Sequence, residues 1–130
     1  MSDYVADTHA LLWYLTDSPR LGPNASAAFD DAANGKSTIY ISAIVVAELY
    51  YLNKKLGGAL DFNSEIRALF QAAQFEFVPF AADDVLDFDR DSMVREMHDR
   101  IIVGVARRLS SVLLTQDSNV VSSNIVATVW

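Results

Sequence analysis

Short apolar segments alternate with amphipathic stretches along the whole 130-residue chain, and this alternation restricts the possible folds more than any other feature. The pattern predicts strands at residues 4–7, 38–42, 75–78, 112–115 and 125–129. It predicts helices at residues 8–15, 23–33, 43–56, 63–74 and 97–109, and the acidic stretch 82–91 is expected to be helical too. Strands that alternate with helices form a parallel sheet covered on both faces, so the sequence predicts an α/β fold. The alternation does not fix the order of the strands.

Length and composition narrow the possible classes of protein. The length fits one domain spanning residues 1–130, and 52% hydrophobic residues are enough to build a core. The absence of cysteine excludes a disulfide scaffold, a thiolate metal site and cysteine nucleophile chemistry. No apolar run approaches the ~18 residues of a membrane span, and the N-terminus lacks the basic segment of a signal peptide. We therefore expect a soluble cytoplasmic protein with no membrane partner.

The net charge of −7 argues against general nucleic-acid binding, because phosphate contacts require a basic surface. The charge is uneven, however, since no lysine follows Lys55 and five aspartates crowd residues 83–91. Within it, Asp87, Asp89 and Asp91 imitate the start of a calcium loop but lack its Gly and Glu positions, so we interpret residues 87–91 as a solvated acidic surface. Six basic residues are candidates either for phosphate contacts or for solvated helix ends: Lys54, Lys55, Arg95, Arg100, Arg107 and Arg108.

Four acidic residues stand where a purely structural role is hard to justify. Asp7 closes the first predicted strand and Asp117 follows the fourth, at strand ends where open α/β sheets bind ligands. Glu48 lies within an apolar helical stripe with no basic residue at ion-pair spacing. Asp99 begins a helix whose next turns are apolar. Each also has a structural explanation: Asp7 as a helix cap, Asp99 as a helix N-terminal charge, Asp117 as a turn residue, and Glu48 as a buried, bonded side chain.

Convergence of these four carboxylates would require a counter-charge. At about 5 Å separation, each pair repels by ~3 kcal/mol at an effective dielectric constant near 20. The cluster must therefore bind protons or a cation. With no Cys and only two His, the oxygen ligands favour Mg²⁺ or Mn²⁺ over zinc. A divalent ion can activate water and offset charge on a phosphoryl group, which suggests phosphoester hydrolysis.

The segments around the four acids resemble those of a known family. They are YVADTHALLWYL at 4–15, ISAIVVAEL at 41–49, MHDRIIVGVA at 97–106 and VLLTQD at 112–117. Four such segments in this order resemble the PIN-domain ribonucleases, specifically the VapC toxins of bacterial type II toxin–antitoxin pairs. The resemblance implies an α/β/α sandwich with a parallel five-stranded sheet of order 3-2-1-4-5. This order would place the first and fourth strands side by side.

The resemblance also implies a Mg²⁺- or Mn²⁺-dependent endoribonuclease. By similarity, Asp7 and Asp99 are the surest metal ligands, Glu48 and Asp117 complete the acidic pocket, and Thr115 orients a carboxylate or a water. Members of the family often carry a further acid two positions after the fourth, where this chain has Asn119. The resemblance therefore supports one metal ion better than two.

The implied partners are an RNA substrate, a VapB-type antitoxin whose tail occupies the acidic groove, and a second copy of the chain in a homodimer. Two alternatives remain. A metal-dependent phosphatase or receiver-type phosphotransfer domain is disfavoured, since His9 stands where a dehalogenase-type enzyme has its second acid and no lysine follows Lys55. A catalytically inactive PIN-like binding module would be expected to lack one of the four acids.

Overall fold

A computed structural model describes residues 2–130 and contains one five-stranded parallel sheet. Its strands are β1 Tyr4–Ala6, β2 Ile39–Ser42, β3 Phe75–Val78, β4 Val112–Leu114 and β5 Thr128–Val129. Their order is β3-β2-β1-β4-β5, and every neighbouring pair runs parallel. The expected fold class and strand order are both confirmed. β1 therefore pairs directly with β4, with Ala6 opposite Leu114.

Within residues 2–130, six α-helices and one 3₁₀ helix connect the strands. The α-helices are α1 Thr8–Leu15, α2 Pro23–Ala33, α3 Ala43–Lys55, α4 Phe62–Gln71, α5 Met97–Arg108 and α6 Ser118–Ser123. The 3₁₀ helix spans Ala82–Asp91. No helix in this part of the chain is long and apolar enough to cross a membrane.

The sheet is covered on both faces, as burial along its strands shows. Successive strand residues point to opposite faces, so two adjacent buried residues require cover on each side. Val5 and Ala6 in β1 are both fully buried, and Leu113 and Leu114 in β4 are at most 1% exposed. The central strands therefore lie inside the core, and only their ends are open for a site.

Two terminal elements differ from the sequence prediction. β5 is limited to Thr128–Val129 rather than 125–129. Helix α6 is absent from the sequence prediction, which gives Asp117 only as a turn residue or a site acid. In the structure, Asp117 is the N-cap of α6, and its Oδ1 accepts hydrogen bonds from the N–H groups of Asn119 and Val120. One side chain thus ends the loop after β4 and begins the next helix.

The interpretation of residues 87–91 as a solvated acidic surface is wrong for the end of that run. Asp91 is only 1% exposed, and its Oδ1 lies 2.8 Å from the Nε of Arg107 on α5. Arg107 also pairs with Asp87, and Arg108 pairs with Asp84 at 3.6 Å. The acidic 3₁₀ helix is therefore fastened to α5 by ion pairs. Arg107 and Arg108, both considered for phosphate contacts, are already occupied by these pairs.

The buried ion pair gives a test of the fold. Asp91→Ala leaves the Arg107 guanidinium without its most buried partner, and we expect a loss of about 3 kcal/mol in the free energy of unfolding. Asp89→Ala, an exposed residue on the same 3₁₀ helix, is the matched control and should change stability by less than about 0.5 kcal/mol. Urea denaturation of the two variants makes the comparison. Equal losses would show that the pair does not fasten the helix.

Candidate active site

Asp7 directly follows β1 and is the N-cap of α1. Its Oδ1 accepts a hydrogen bond of 2.8 Å from the Ala10 N–H. Burial raises the pKa of Asp7 above its usual value, whereas hydrogen bonds from the Thr115 hydroxyl and the Ala10 N–H act to lower it. The structure therefore confirms the expected helix cap, and the same carboxylate keeps a second oxygen outside this bond.

Thr115 connects the acids at the ends of β1 and β4. Its hydroxyl bonds to Asp7, and its Oγ1 accepts the Asp117 N–H at 3.1 Å. The side chain is only 2% exposed, so it lies behind the carboxylates rather than on the open surface. This position fits the expected orienting role better than direct contact with a substrate.

Glu48 reaches the site from α3, where sequence reasoning left it without a partner. Thr8, the first residue of α1, supplies one, because its hydroxyl donates a 2.7 Å hydrogen bond to Glu48 Oε1. Thr8 is 7% exposed. Sequence analysis missed this residue, although a hydroxyl next to Asp7 is a signal that could have indicated it.

Asp99 lies in the first turn of α5, and its environment disfavours the ionised form. Its pKa is raised from 3.8 to about 6, chiefly by burial and in addition by the negative charges of Asp117, Glu96, Glu48 and Asp7. Its carboxylate accepts no hydrogen bond from any other group in residues 2–130. Among the four acids, Asp99 is therefore the one whose ionised form a bound cation would stabilise most.

The four predicted acids line a single cavity of about 370 Å³. Its wall consists of Asp7, Thr8, His9, Glu48, Leu52, Asp99, Ile102, Gln116 and Asp117. The fifth predicted residue, Thr115, is not in the wall but supports Asp7 from behind. The convergence expected from sequence is thus present as a shared cavity; the catalytic and ligand roles of these residues stay predictions.

The donor chemistry of this cavity fits a hard divalent cation. Glu48 and Asp117 each accept the hydrogen bonds described above at one oxygen, which leaves the other oxygen for a ligand, whereas Asp7 accepts from both Ala10 and Thr115. Within residues 2–130, however, no three Asp, Glu or His side chains are grouped tightly enough to hold one ion together. Mg²⁺ typically keeps several waters and needs only one or two carboxylates. A ligand set of all four acids therefore stays a prediction.

The fold is similar to several solved structures. A chain of VapBC2 from Rickettsia felis, solved bound to a DNA fragment from their promoter, has a TM-score of 0.72 and 18% identity over 98% of both chains. FitAcB from Neisseria gonorrhoeae has a TM-score of 0.67 and 22% identity, and the match covers 96% of this chain and 95% of that one. PAE2754 from Pyrobaculum aerophilum has a TM-score of 0.59 and 20% identity, and the match covers 98% of this chain and 83% of that one. At these identities the likeness establishes the fold alone.

A search of curated proteins gives no significant match. The model of the PIN domain family, in contrast, matches residues 4–122, which include β1 to β4 and all four acids of the cavity. The chain therefore belongs to the PIN domain family.

Proposed function

We propose that this protein is a Mg²⁺- or Mn²⁺-dependent endoribonuclease and the toxin of a toxin–antitoxin pair. The observation that carries the proposal is the convergence of Asp7, Glu48, Asp99 and Asp117 on one cavity. Membership of the PIN domain family supports nuclease chemistry. Because all four acids are present and share the cavity, the inactive binding module is the weaker alternative.

Asp7 and Asp99 are the residues we assign to hold the metal ion. Asp7 is fixed by Ala10 and Thr115, so one carboxylate is oriented before any ligand arrives. The carboxylate of Asp99 accepts no hydrogen bond within residues 2–130, and its pKa of about 6 indicates that the protein alone stabilises the ionised form poorly. A divalent ion bound there would offset charge on the scissile phosphate and lower the pKa of a water.

Glu48 and Asp117 are the candidates for orienting the attacking water or accepting its proton. Thr8 fixes Glu48 through Oε1, which leaves Oε2 for this task. Asp117 is fixed through Oδ1 by the first turn of α6. Attack by water does not require the RNA 2′-hydroxyl, so selectivity for RNA would come from strand shape and access to single strands.

Cleavage of single-stranded RNA by the purified protein tests the proposal. The wild type should cleave in Mg²⁺ or Mn²⁺ and stop in EDTA. Asp7→Asn and Asp99→Asn should each lower the rate by about a thousandfold or more, because each removes a charge that the ion requires. Asp89→Asn, with an equal charge change on the exposed part of the 3₁₀ helix, should keep full activity. Undiminished cleavage by both site variants would refute the assignment.

The raised pKa of Asp99 predicts an inverse relation between stability and pH in the absence of metal. Since the folded-state pKa lies near 6 and the unfolded value near 3.8, stability falls as pH rises through this window. Asp99→Asn does not lose stability in this way, because asparagine does not ionise. In EDTA at about pH 7.5 it should be more stable than the wild type by about 1 kcal/mol, reduced from full linkage because the carboxylate is partly exposed.

Thermal melts at about pH 4 and pH 7.5 measure the effect. The stability difference between Asp99→Asn and the wild type should be small at the lower pH and large at the higher one. Asp89→Asn serves as the control and should follow the wild type. If Asp99→Asn were less stable than the wild type at both pH values, the claim that burial of the Asp99 charge destabilises the protein would be wrong.

The proposed partners are a VapB-type antitoxin and a second copy of the chain, with the protein acting inside the cell. Structural neighbours come from toxin–antitoxin complexes, VapBC2 and FitAcB among them, which supports an antitoxin partner. The charge of this chain adds a physical reason. An acidic cavity in a protein of net charge −7 favours a partner segment that presents Arg or Lys.

Induced expression in bacteria tests the toxin role. We expect the wild type to arrest growth, because RNA cleavage stops protein synthesis, whereas Asp99→Asn at the same soluble level should be harmless. Co-expression of the protein encoded beside it should restore growth. Normal growth with abundant folded wild type would refute the toxin role, even if the purified protein cleaves RNA.

A further inference from the structure

A second cavity, of about 380 Å³, adjoins the acidic cavity at Asp99. We call it the adjoining cavity; its wall includes Arg95, Glu96, Asp99, Asn119 and Ser122. Within residues 2–130, Asp99 is the one residue that lines both cavities. The two cavities therefore lie on either side of one carboxylate, close enough for neighbouring nucleotides of one strand to be considered as their ligands.

The adjoining cavity differs from the acidic cavity in that a positively charged residue, Arg95, lines it. Among residues 2–130, Arg95 is the only Lys or Arg that lines either cavity. The side chain is exposed and forms no ion pair in this part of the chain. Its neighbour Glu96 is already engaged, since Oε2 accepts the Asp99 N–H at 2.7 Å and Oε1 lies 2.6 Å from His98 Nδ1. The guanidinium of Arg95 is thus left for a ligand.

The backbone that carries Arg95 is firmly held. Val94 is only 1% exposed, and its N–H donates to the Asp91 carbonyl at 3.0 Å. Its own carbonyl accepts a 2.6 Å hydrogen bond from Arg100 Nε. On the other side, Glu96 caps α5. Arg95 therefore projects from a fixed turn, which lowers the entropic cost of using it to bind a ligand.

Helix α6 supplies neutral polar groups to the same cavity. Asn119 and Ser122 both lie in its wall and are both exposed. An amide and a hydroxyl can donate hydrogen bonds to phosphate, ribose or base edges. An acid at position 119 would instead repel a phosphate, so the asparagine of this chain makes the cavity more favourable for an anionic ligand.

We propose that the adjoining cavity binds the nucleotide next to the scissile phosphate of a single-stranded RNA. Arg95 pairs with the phosphate of that nucleotide, and Asn119 and Ser122 contact its sugar or base. This inference rests on the proposed nuclease function and extends it to a binding subsite. Arg95 acts on the binding of the RNA rather than on the bond that is cleaved.

RNA affinity in the Asp7→Asn background, which should prevent cleavage, tests this subsite. A short fluorescein-labelled single-stranded RNA is the probe, and fluorescence anisotropy is measured over a range of KCl concentrations. Arg95→Gln should weaken binding by about tenfold and reduce the slope of log affinity against log salt by ~0.7, the loss of one phosphate contact. Arg95→Lys should restore most of the slope. Asn119→Asp should also weaken binding.

Arg67→Gln is the matched control, because it removes an equal charge from an exposed position on α4 that lines neither cavity. It should bind as the parent does. In the cleavage-competent protein, Arg95→Gln should raise KM with little change in kcat, and its melting temperature should match the wild type.

The outcomes separate this inference from the proposed function. If the wild type cleaves RNA but Arg95→Gln and Arg67→Gln bind it equally well, the subsite is refuted and the nuclease assignment stands. If kcat falls and affinity is unchanged, Arg95 does not bind the neighbouring phosphate and the inference is again refuted. If the wild type neither binds nor cleaves RNA, both proposals fail.

Discussion

The parallel pairing of β1 with β4 is the interaction on which the site depends. It brings the ends of two strands, distant in sequence, to the same edge of the sheet, where the Asp7 N–H donates to the Leu114 carbonyl at 3.2 Å. Asp7 and Thr115 become neighbours as a direct result. Helices α3 and α5 then need only present one acid each toward this edge. A change that separated these strands would dismantle the cavity even if every acid remained.

At two of these acids, the capping of a helix and a place in the cavity wall belong to the same side chain. Asp7 and Asp117 each cap a helix with one oxygen, and both line the cavity. Capping places a negative charge at a helix N-terminus, where it is stabilised, and so offsets part of the repulsion within the site. Glu48 gains similar support from Thr8. The carboxylate of Asp99 has no such bond in residues 2–130, and burial together with the neighbouring negative charges raises its pKa to about 6.

The sequence predicted local elements and acids well because both depend on neighbouring residues or on strand ends. The limits of α1 and α2 agree with the prediction, and all four acids meet in one cavity. The strand order came from resemblance, since periodicity alone does not encode it. Burial of Asp91 was not predictable in the same way. Its partner Arg107 lies on another helix, so local composition indicated only an acidic, solvated segment.

The distribution of the arginines leaves a positive charge beside the acidic cavity despite the net charge of −7. Arg107 and Arg108 form ion pairs with aspartates of the 3₁₀ helix, and Arg100 donates a hydrogen bond to the Val94 carbonyl. These bonds hold the turn before α5 in place, and that turn carries Arg95. The arginines that do not contact a ligand thus position the one that we propose does. In the proposed RNA complex, a single guanidinium beside the acidic cavity outweighs the net charge of −7, because screening limits the effect of distant charges to within about 10 Å.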